Sequence, residues 1–389
     1  MLDARRLHGA ALAAALHESR ARTWSLVNDL SDAQWNVPEQ AGVNPLRWEL
    51  AHLAWFAEFW VLRGPHQRAA DGTAHALHPA RHAGPDELFD SARLAHAARW
   101  RTPMPSRGQL VEMLQGQLDA CIAALPGSDD DMANYFHRLA LFHEDMHAEA
   151  FVWLRAALGY AAPAGLALAP LAPADPVVVR GATFELGRPT NEAGFAFDNE
   201  VPAIIVTLAD FEIDAAPVSA GEYLRFVETG GYDKPSYWPG AAGAWRAGSN
   251  KPHPQRWRFD KTSGWQTRWF ERWLPLAPAL PVIHVNAFEA EAYCAWAKRR
   301  LPSAAEWERA AAQMQWGQSV WEWTADAFQP YPGFTPGPYR EYSAPWFGDH
   351  RELRGGAFAA HARLHDPRYR NFFQPQRSDV FAGFRSVAL

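Results

Sequence analysis

Phe142-His143-Glu144-Asp145-Met146-His147-Ala148-Glu149 lies inside a run from Asp130 to Leu158 whose apolar residues recur every three or four positions. That spacing reads as an amphipathic helix. His143 and His147 are four apart on it, so both imidazoles project from one face about one turn apart. Working outward, three more runs share the period. Leu7 to Leu26 is the first, and Leu46 to Leu62 follows Asn44-Pro45, a turn and helix-start signal. Ser106 to Leu125 begins at a cap-forming serine. Four such helices with one long connection, about residues 63 to 105, describe a helix bundle.

The pattern changes after residue 158. Pro163, Pro170, Pro173 and Pro176 make 159–176 a linker laid along the surface, and they keep the stretch from Gly165 to Val179 from crossing a bilayer as a helix. Beyond it, Val177 to Val179, Ala203 to Leu208 and Phe211 to Asp214 read as short strands among Gly/Pro/Trp-rich loops. Two helices stand out there, Ser219 to Thr229 and Ala287 to Arg300. The expected architecture is α+β overall: a bundle over 1–158, the linker, and a mixed domain over 177–389. The 19 Trp, 30 Pro and 27 Gly suit packed irregular loops rather than a disordered chain.

Composition narrows the function. The formal net charge is −6 and no basic block stands out, which argues against a nucleic-acid surface. Cys121 and Cys294 are too few for a disulfide framework or a thiolate zinc cluster and suit a reducing cytoplasm. Arg5-Arg6 followed by Gly9 to Leu16 imitates an export signal. The stretch continues through His17, Glu18 and Arg20 with helical period and no clear cleavage region, so the expectation is a cytoplasmic protein without a membrane segment.

Of the 16 histidines, 11 precede residue 150, which directs the search for a metal to the bundle. His52, in Trp48-Glu49-Leu50-Ala51-His52-Leu53-Ala54-Trp55, sits mid-helix between apolar neighbours and needs a partner there. With His143 and His147 it makes three imidazoles on two helices of one bundle, a platform for a divalent metal. Each also has an ordinary reading, the pair as a polar helix face and His52 as a hydrogen-bonded core residue. Glu144, Asp145 and Glu149 offer oxygen donors nearby. Ligand softness does not decide between zinc and iron.

The second half resembles the formylglycine-generating-enzyme fold. The resemblance rests on Phe184-Glu185-Leu186-Gly187, Phe195-Ala196-Phe197-Asp198-Asn199-Glu200, Phe211-Glu212-Ile213-Asp214 with Pro217-Val218-Ser219, and Pro281-Val282-Ile283-His284-Val285-Asn286. It continues through Ala292-Tyr293-Cys294-Ala295-Trp296, Arg300-Leu301-Pro302-Ser303-Ala304-Ala305-Glu306-Trp307-Glu308, Val320-Trp321-Glu322-Trp323-Thr324, Arg354-Gly355-Gly356-Ala357-Phe358 and Gly383-Phe384-Arg385. Cys294, Trp321 and Trp323 read as core. The reactive cysteine pair of a true formylglycine-generating enzyme has no counterpart between Gly355 and Phe373, so that activity is excluded. The whole chain, a DinB-type bundle fused to this C-type-lectin-like fold, resembles the sulfoxide synthases of ergothioneine biosynthesis and their relative, selenoneine synthase. The matching ligand segments are Asn44-Pro45-Leu46-Arg47-Trp48-Glu49-Leu50-Ala51-His52 and His143 to Glu149.

That resemblance implies one non-haem Fe(II) on His52, His143 and His147, with O2 as co-substrate. It implies that a sulfur or selenium donor is joined to the imidazole carbon of N-α-trimethylhistidine (hercynine). Co-ligation of the reactants would turn a termolecular collision into an oriented reaction. A timely proton is also needed, because otherwise the chalcogen is merely oxidised. In Tyr339-Arg340-Glu341-Tyr342 the family pattern assigns Tyr339 as the acid and Tyr342 as its supporting partner. In Tyr369-Arg370-Asn371-Phe372-Phe373-Gln374-Pro375, Asn371 and Phe372 are candidates for contacting trimethylhistidine, whose cation seeks an aromatic face; Phe373 also reads as core.

Three departures bear on the donor. Met146 stands where ergothioneine enzymes usually carry Gln, and a thioether cannot replace an amide's hydrogen bonds. Arg93 is kept from an arginine pair that reads donor carboxylates, but His96 holds the second place. Phe373 stands where some relatives have Asp. All three suit a neutral selenosugar better than zwitterionic γ-glutamylcysteine, so selenoneine synthesis is the expected activity and a thiol donor, γ-glutamylcysteine or cysteine, the alternative. Two readings come from other classes. A zinc-dependent DinB-type thiol transferase would use the same histidines to acidify a thiol without O2. A non-catalytic binding module would bind its ligand without His143.

Overall fold

The computed structural model describes residues 3–389. The backbone separates into two compact units, one running up to Arg155 together with Ala193–Phe195, the other Ala156–Glu192 with Ala196–Leu389. The proline-studded stretch falls within the second unit, where the Leu171 N–H donates to the Ala279 carbonyl at 2.8 Å. Residues 193–195 belong to the first. There the Phe195 N–H donates to the Arg5 carbonyl at 2.8 Å, and the Phe195 ring stacks on Phe142 with centroids 5.1 Å apart.

In the first unit, four helices span Gly9–Ser25, Leu46–Ala57, Arg107–Ala123 and Asp131–Leu158. Local chemistry sets their starts. Ser106 and Gln109 form a reciprocal capping box, and the Asp130 carboxylate accepts the Ala133 N–H at 2.7 Å. Pro45 is the cap of the second helix, which therefore begins at Leu46. That helix does not stay α-helical to Leu62, because Glu58–Leu62 widens into a π-turn. Leu12, Ala15 and Leu16 pack against Leu118 and Leu141 between the first, third and fourth helices. Each buried leucine contributes about 1.5–3 kcal/mol relative to exposure.

The connection after the second helix is ordered by its own contacts. It holds a small antiparallel hairpin, His66–Arg68 with Ala74–Ala76, a helical turn Asp86–Phe89 and a 3-10 turn His96–Trp100. The buried Glu58 carboxylate accepts the backbone N–H groups of Arg81, His82 and Ala83 at 2.6, 2.7 and 2.9 Å. Asp86 accepts from both Arg63 and Trp55. A segment without apolar periodicity is thus tied near its middle to the helix that carries His52 and to the π-turn that continues it.

The second unit is α+β. One four-stranded sheet runs Arg299–Arg300, Val387–Ala388, Phe211–Ile213, Val177–Val179; another runs Asn371–Phe373, Arg351–Gly355, Trp321–Ala327, Ala382–Gly383. Pairings are antiparallel except between Trp321–Ala327 and Ala382–Gly383. A hairpin (Thr183–Leu186 with Ile204–Thr207) and a three-stranded meander (Trp257–Asp260, Gly264–Trp269, Arg272–Pro275) complete the strands. Trp321 and Trp323 are core, as is Cys294. So are charges: Arg385 pairs with Glu322, while Arg354 and Arg370 share Glu352. The expected helices are Ala220–Glu228 and Ala287–Ala297. The latter ends three residues short of Arg300, because Lys298 turns left-handed at φ 54° and Arg299–Arg300 become a strand. Two further helices, Ala241–Gly248 and Ala304–Ala310, escaped the sequence reading. Ser303 and Glu306 cap the second of these in a box visible in the sequence. No helix among the described residues is long and apolar enough to cross a membrane.

Candidate metal centre and tyrosine cluster

The second and fourth bundle helices bring His52, His143 and His147 together, with one ligand atom from each lying within 4.8 Å of the others. They are the one such group among the described residues. His52 is held from two sides. Its ring stacks on Trp48, one turn earlier, at 4.9 Å and 9°, and its Nδ1 lies 2.7 Å from the Phe89 carbonyl. Phe89 is itself placed by the Asp86 turn, where the Trp48 indole donates to the Leu88 carbonyl at 2.8 Å. His147 Nδ1 lies 2.6 Å from Glu49 Oε1. These contacts leave Nε2 of both rings for a ligand. His143 lies flat on Phe56, with centroids 3.5 Å apart and planes 5° apart.

The donor set fits a divalent metal. Burial holds His52 and His143 well below the usual imidazole range, with the nearby His147 acting in the same direction. They are therefore neutral, the form that ligates. Glu144 and Asp145 are not part of the set. Glu144 accepts from Arg20 at 2.7 Å and from Thr23 at 3.0 Å, and Asp145 accepts from Ser19 at 2.9 Å. These bonds fix the rotation of the fourth helix and so aim His143 and His147.

The candidate donor residues are placed as follows. Arg93 donates to Asp90 at 3.1 Å and to the Ala74 carbonyl at 2.9 Å. His96 Nε2 lies 2.8 Å from the Val43 carbonyl. Met146 is half-buried on the helix that carries His143 and His147. Sequence reasoning missed Glu49 and Arg99. The Arg99 guanidinium lies 4.0 Å over the Trp48 ring and donates to Asn44 at 2.6 Å, which makes a stack of Arg99, Trp48 and His52. Glu49 had a signal, a carboxylate one turn before a mid-helix histidine; Arg99 lay in a stretch without period.

In the second unit, the 3-10 turn Arg340–Tyr342 carries the tyrosine segment. Tyr342 hydrogen-bonds Tyr369 hydroxyl to hydroxyl at 2.8 Å, and its ring stacks on Phe197 at 4.6 Å. Burial pushes the Tyr342 phenol well above its usual range, and Tyr369, Glu200 and Asp198 add to that. Tyr339 is half-buried, its ring 6.1 Å from that of Tyr342. Asp198 ties the turn down by accepting from the Ser343 hydroxyl and the Gly337 N–H. Phe372 stacks on Phe328 at 4.1 Å and meets the Tyr342 ring edge at 5.5 Å. Asn371 accepts the Phe372 N–H at 2.8 Å, and Arg377 lies 4.9 Å over Phe373. Tyr342 and Phe372 therefore share one aromatic cluster. Tyr369 and Asp198 support it, although sequence reasoning gave neither a role.

Residues 15–157 match the DinB superfamily, and residues 169–319 and 314–388 match the Sulfatase-modifying factor enzyme 1-like domain. Fold and site thus define a class: a DinB bundle bearing a three-histidine cluster, joined in one chain to a sulfatase-modifying-factor-type domain. A hercynine oxygenase of Mycolicibacterium thermoresistibile is 33% identical over 97% of this chain and 94% of its own length. One of Mycobacterium tuberculosis is 33% identical over 96% of this chain and 97% of its own. The chain belongs to the hercynine oxygenase family and is an enzyme of the oxygenase kind. Among solved structures, PvdO from Pseudomonas aeruginosa matches at 18% identity and a TM-score of 0.36, over 55% of this chain and 93% of that one.

Proposed function

We propose that the protein is a non-haem Fe(II)- and O2-dependent enzyme that joins the selenium of a selenosugar to the imidazole carbon of hercynine, a step of selenoneine biosynthesis. The observation that carries the iron site is the convergence of three imidazoles, two of them buried and neutral, with Nδ1 of His52 and His147 already committed. The name of the relatives supports hercynine as one substrate. Ferrous iron on His52, His143 and His147 would supply the one-electron chemistry that lets O2 react with a closed-shell imidazole.

The chain's residues do the rest. Phe89 and Glu49 orient two ligands. Tyr339 is the proton donor, and Tyr342, kept protonated by burial and bonded to Tyr369, supports it. Asn371 and Phe372 contact hercynine, its trimethylammonium group against the aromatic face, with Phe373 beside them on the same strand.

The neutral donor is supported by how the basic residues are spent. Arg93, His96 and Arg99 all have partners within the protein, so reading a donor carboxylate with them would first break those bonds. Met146 adds no charge. The test is a competition: iron-loaded protein receives hercynine with equal amounts of a selenosugar, γ-glutamylcysteine and cysteine, O2 is admitted, and product masses are read. An adduct with the selenium isotope envelope is expected. A sulfur adduct alone would overturn the donor assignment and leave the iron site standing.

A further inference from the structure

Away from the histidines and the tyrosine cluster, the second unit forms a cavity of about 430 Å³, open to solvent on one side, between the 171–176 stretch and the segment from Asp214 to Glu222. That volume lies in the range of small-molecule sites. We propose that this cavity binds a small organic ammonium compound, an apolar body carrying a protonated amine. The inference is independent of the hercynine reading.

The wall is preformed. Pro173, Pro176, Pro217 and Pro278 line it, and proline fixes its own φ. Hydrogen bonds from the Leu171 N–H to the Ala279 carbonyl and from the Gly221 N–H to the Pro278 carbonyl, at 2.8 and 3.0 Å, hold two sides together. Such a wall accepts an apolar body with little ordering cost.

The polar end decides the ligand's charge. Asp214 is already satisfied by Arg299 at 3.0 Å and by the Ser386 N–H and hydroxyl at 2.8 and 2.6 Å. Glu222 is only half used. Its Oε2 accepts the Ser219 N–H and hydroxyl at 2.8 and 2.7 Å, and its Oε1 has no hydrogen bond among the described residues. The Tyr293 side chain is 7% exposed, and its hydroxyl likewise has no partner among the described residues. Both atoms face the cavity without protein partners, and a ligand that pairs both would gain two hydrogen bonds in place of water, one of them to a charged group. Among the lining residues, Asp214 and Glu222 against Arg299 leave one negative charge; beside them Glu212 also pairs with Arg299, at 3.1 Å, and Arg225 acts on Tyr293 as a cation. An anion would be repelled, and a neutral ligand would leave the carboxylate uncompensated. A bare metal ion would find too few ligands. An ammonium group fits, with one N–H donated to Glu222 Oε1 and another to the Tyr293 oxygen. Burial and the two carboxylates keep that phenol protonated.

Benzylammonium is the probe, with benzyl alcohol as its neutral counterpart, titrated calorimetrically into the full chain. Glu222→Gln keeps an oxygen for the Ser219 cap, and Tyr293→Phe keeps the ring contacts with Tyr223 and Phe384. Saturable binding of benzylammonium is expected, weakened roughly tenfold to a hundredfold in Glu222→Gln and several-fold in Tyr293→Phe, with benzyl alcohol not binding. No saturable binding by about 5 mM would mean the cavity holds only water. Binding that is undiminished in both variants would place the probe elsewhere. Either result overturns the proposal.

Discussion

Glu49 Oε1 lies 2.6 Å from His147 Nδ1, so this carboxylate sets which ring nitrogen of His147 is left to ligate and makes it a stronger donor. Glu49→Gln is expected to weaken ferrous binding roughly tenfold to a hundredfold, read by anaerobic competition with a chromophoric chelator. Unchanged affinity would show that the bond does nothing for the site. Tyr339→Phe should slow adduct formation roughly a hundredfold or more while O2 uptake continues and the chalcogen is oxidised instead. Equal losses of uptake and adduct would remove Tyr339 from proton delivery. The clustering of the three histidines was legible because a polar residue recurring on an apolar helix face breaks a pattern. The groups that aim them were not: the Phe89 carbonyl is backbone, and Arg99 acts through the face of Trp48.

At the scale of elements, the first and fourth bundle helices are locked by charges rather than by apolar contact alone. Arg20, 3% exposed, donates to Glu144, to Gln117 and to the Leu114 carbonyl. Arg20→Met strands a buried carboxylate and should cost about 3–5 kcal/mol, measured by urea unfolding. Arg20→Met with Glu144→Met should recover most of it, and a single variant as stable as the parent would contradict the account. Helix starts in long periodic stretches could be placed from sequence to within a residue or two, as at Ser106. The 63–105 connection could not, since its order comes from contacts distant in sequence, Glu58 gathering three N–H groups and Asp86 taking Arg63 and Trp55. Short helices such as Ala304–Ala310 offer too few turns for a period to show.

For the whole molecule, stability depends on buried titratable groups that no composition count locates. Glu289 is buried between Tyr232 and the Asn286 cap, and burial pushes its carboxyl up to about 7 from an ordinary value of 4.5. Between those values the folded chain keeps a proton that the unfolded chain releases. Its contribution is thus complete below the ordinary value and is lost as pH rises towards 7, by up to about 3 kcal/mol. Glu289→Gln should flatten that fall, so its melting temperature relative to the parent rises between about pH 5 and about pH 8. A parallel pair of pH curves would refute the burial argument. The fold of both halves was legible through ordered motifs; their depth in the core, as with Glu322 and Arg385, was not, because burying an ion pair requires partners 63 residues apart in sequence.

The central claim is that three histidines make this an iron- and oxygen-dependent enzyme of hercynine. It is tested most directly with an oxygen electrode, on metal-free protein reloaded with either Fe(II) or Zn(II) and given hercynine with the selenosugar and thiols. The account predicts O2 uptake and adduct formation with iron only, both lost on omitting hercynine and in His143→Ala. Adduct formation by the zinc form without O2 would contradict it and make the protein a thiol transferase.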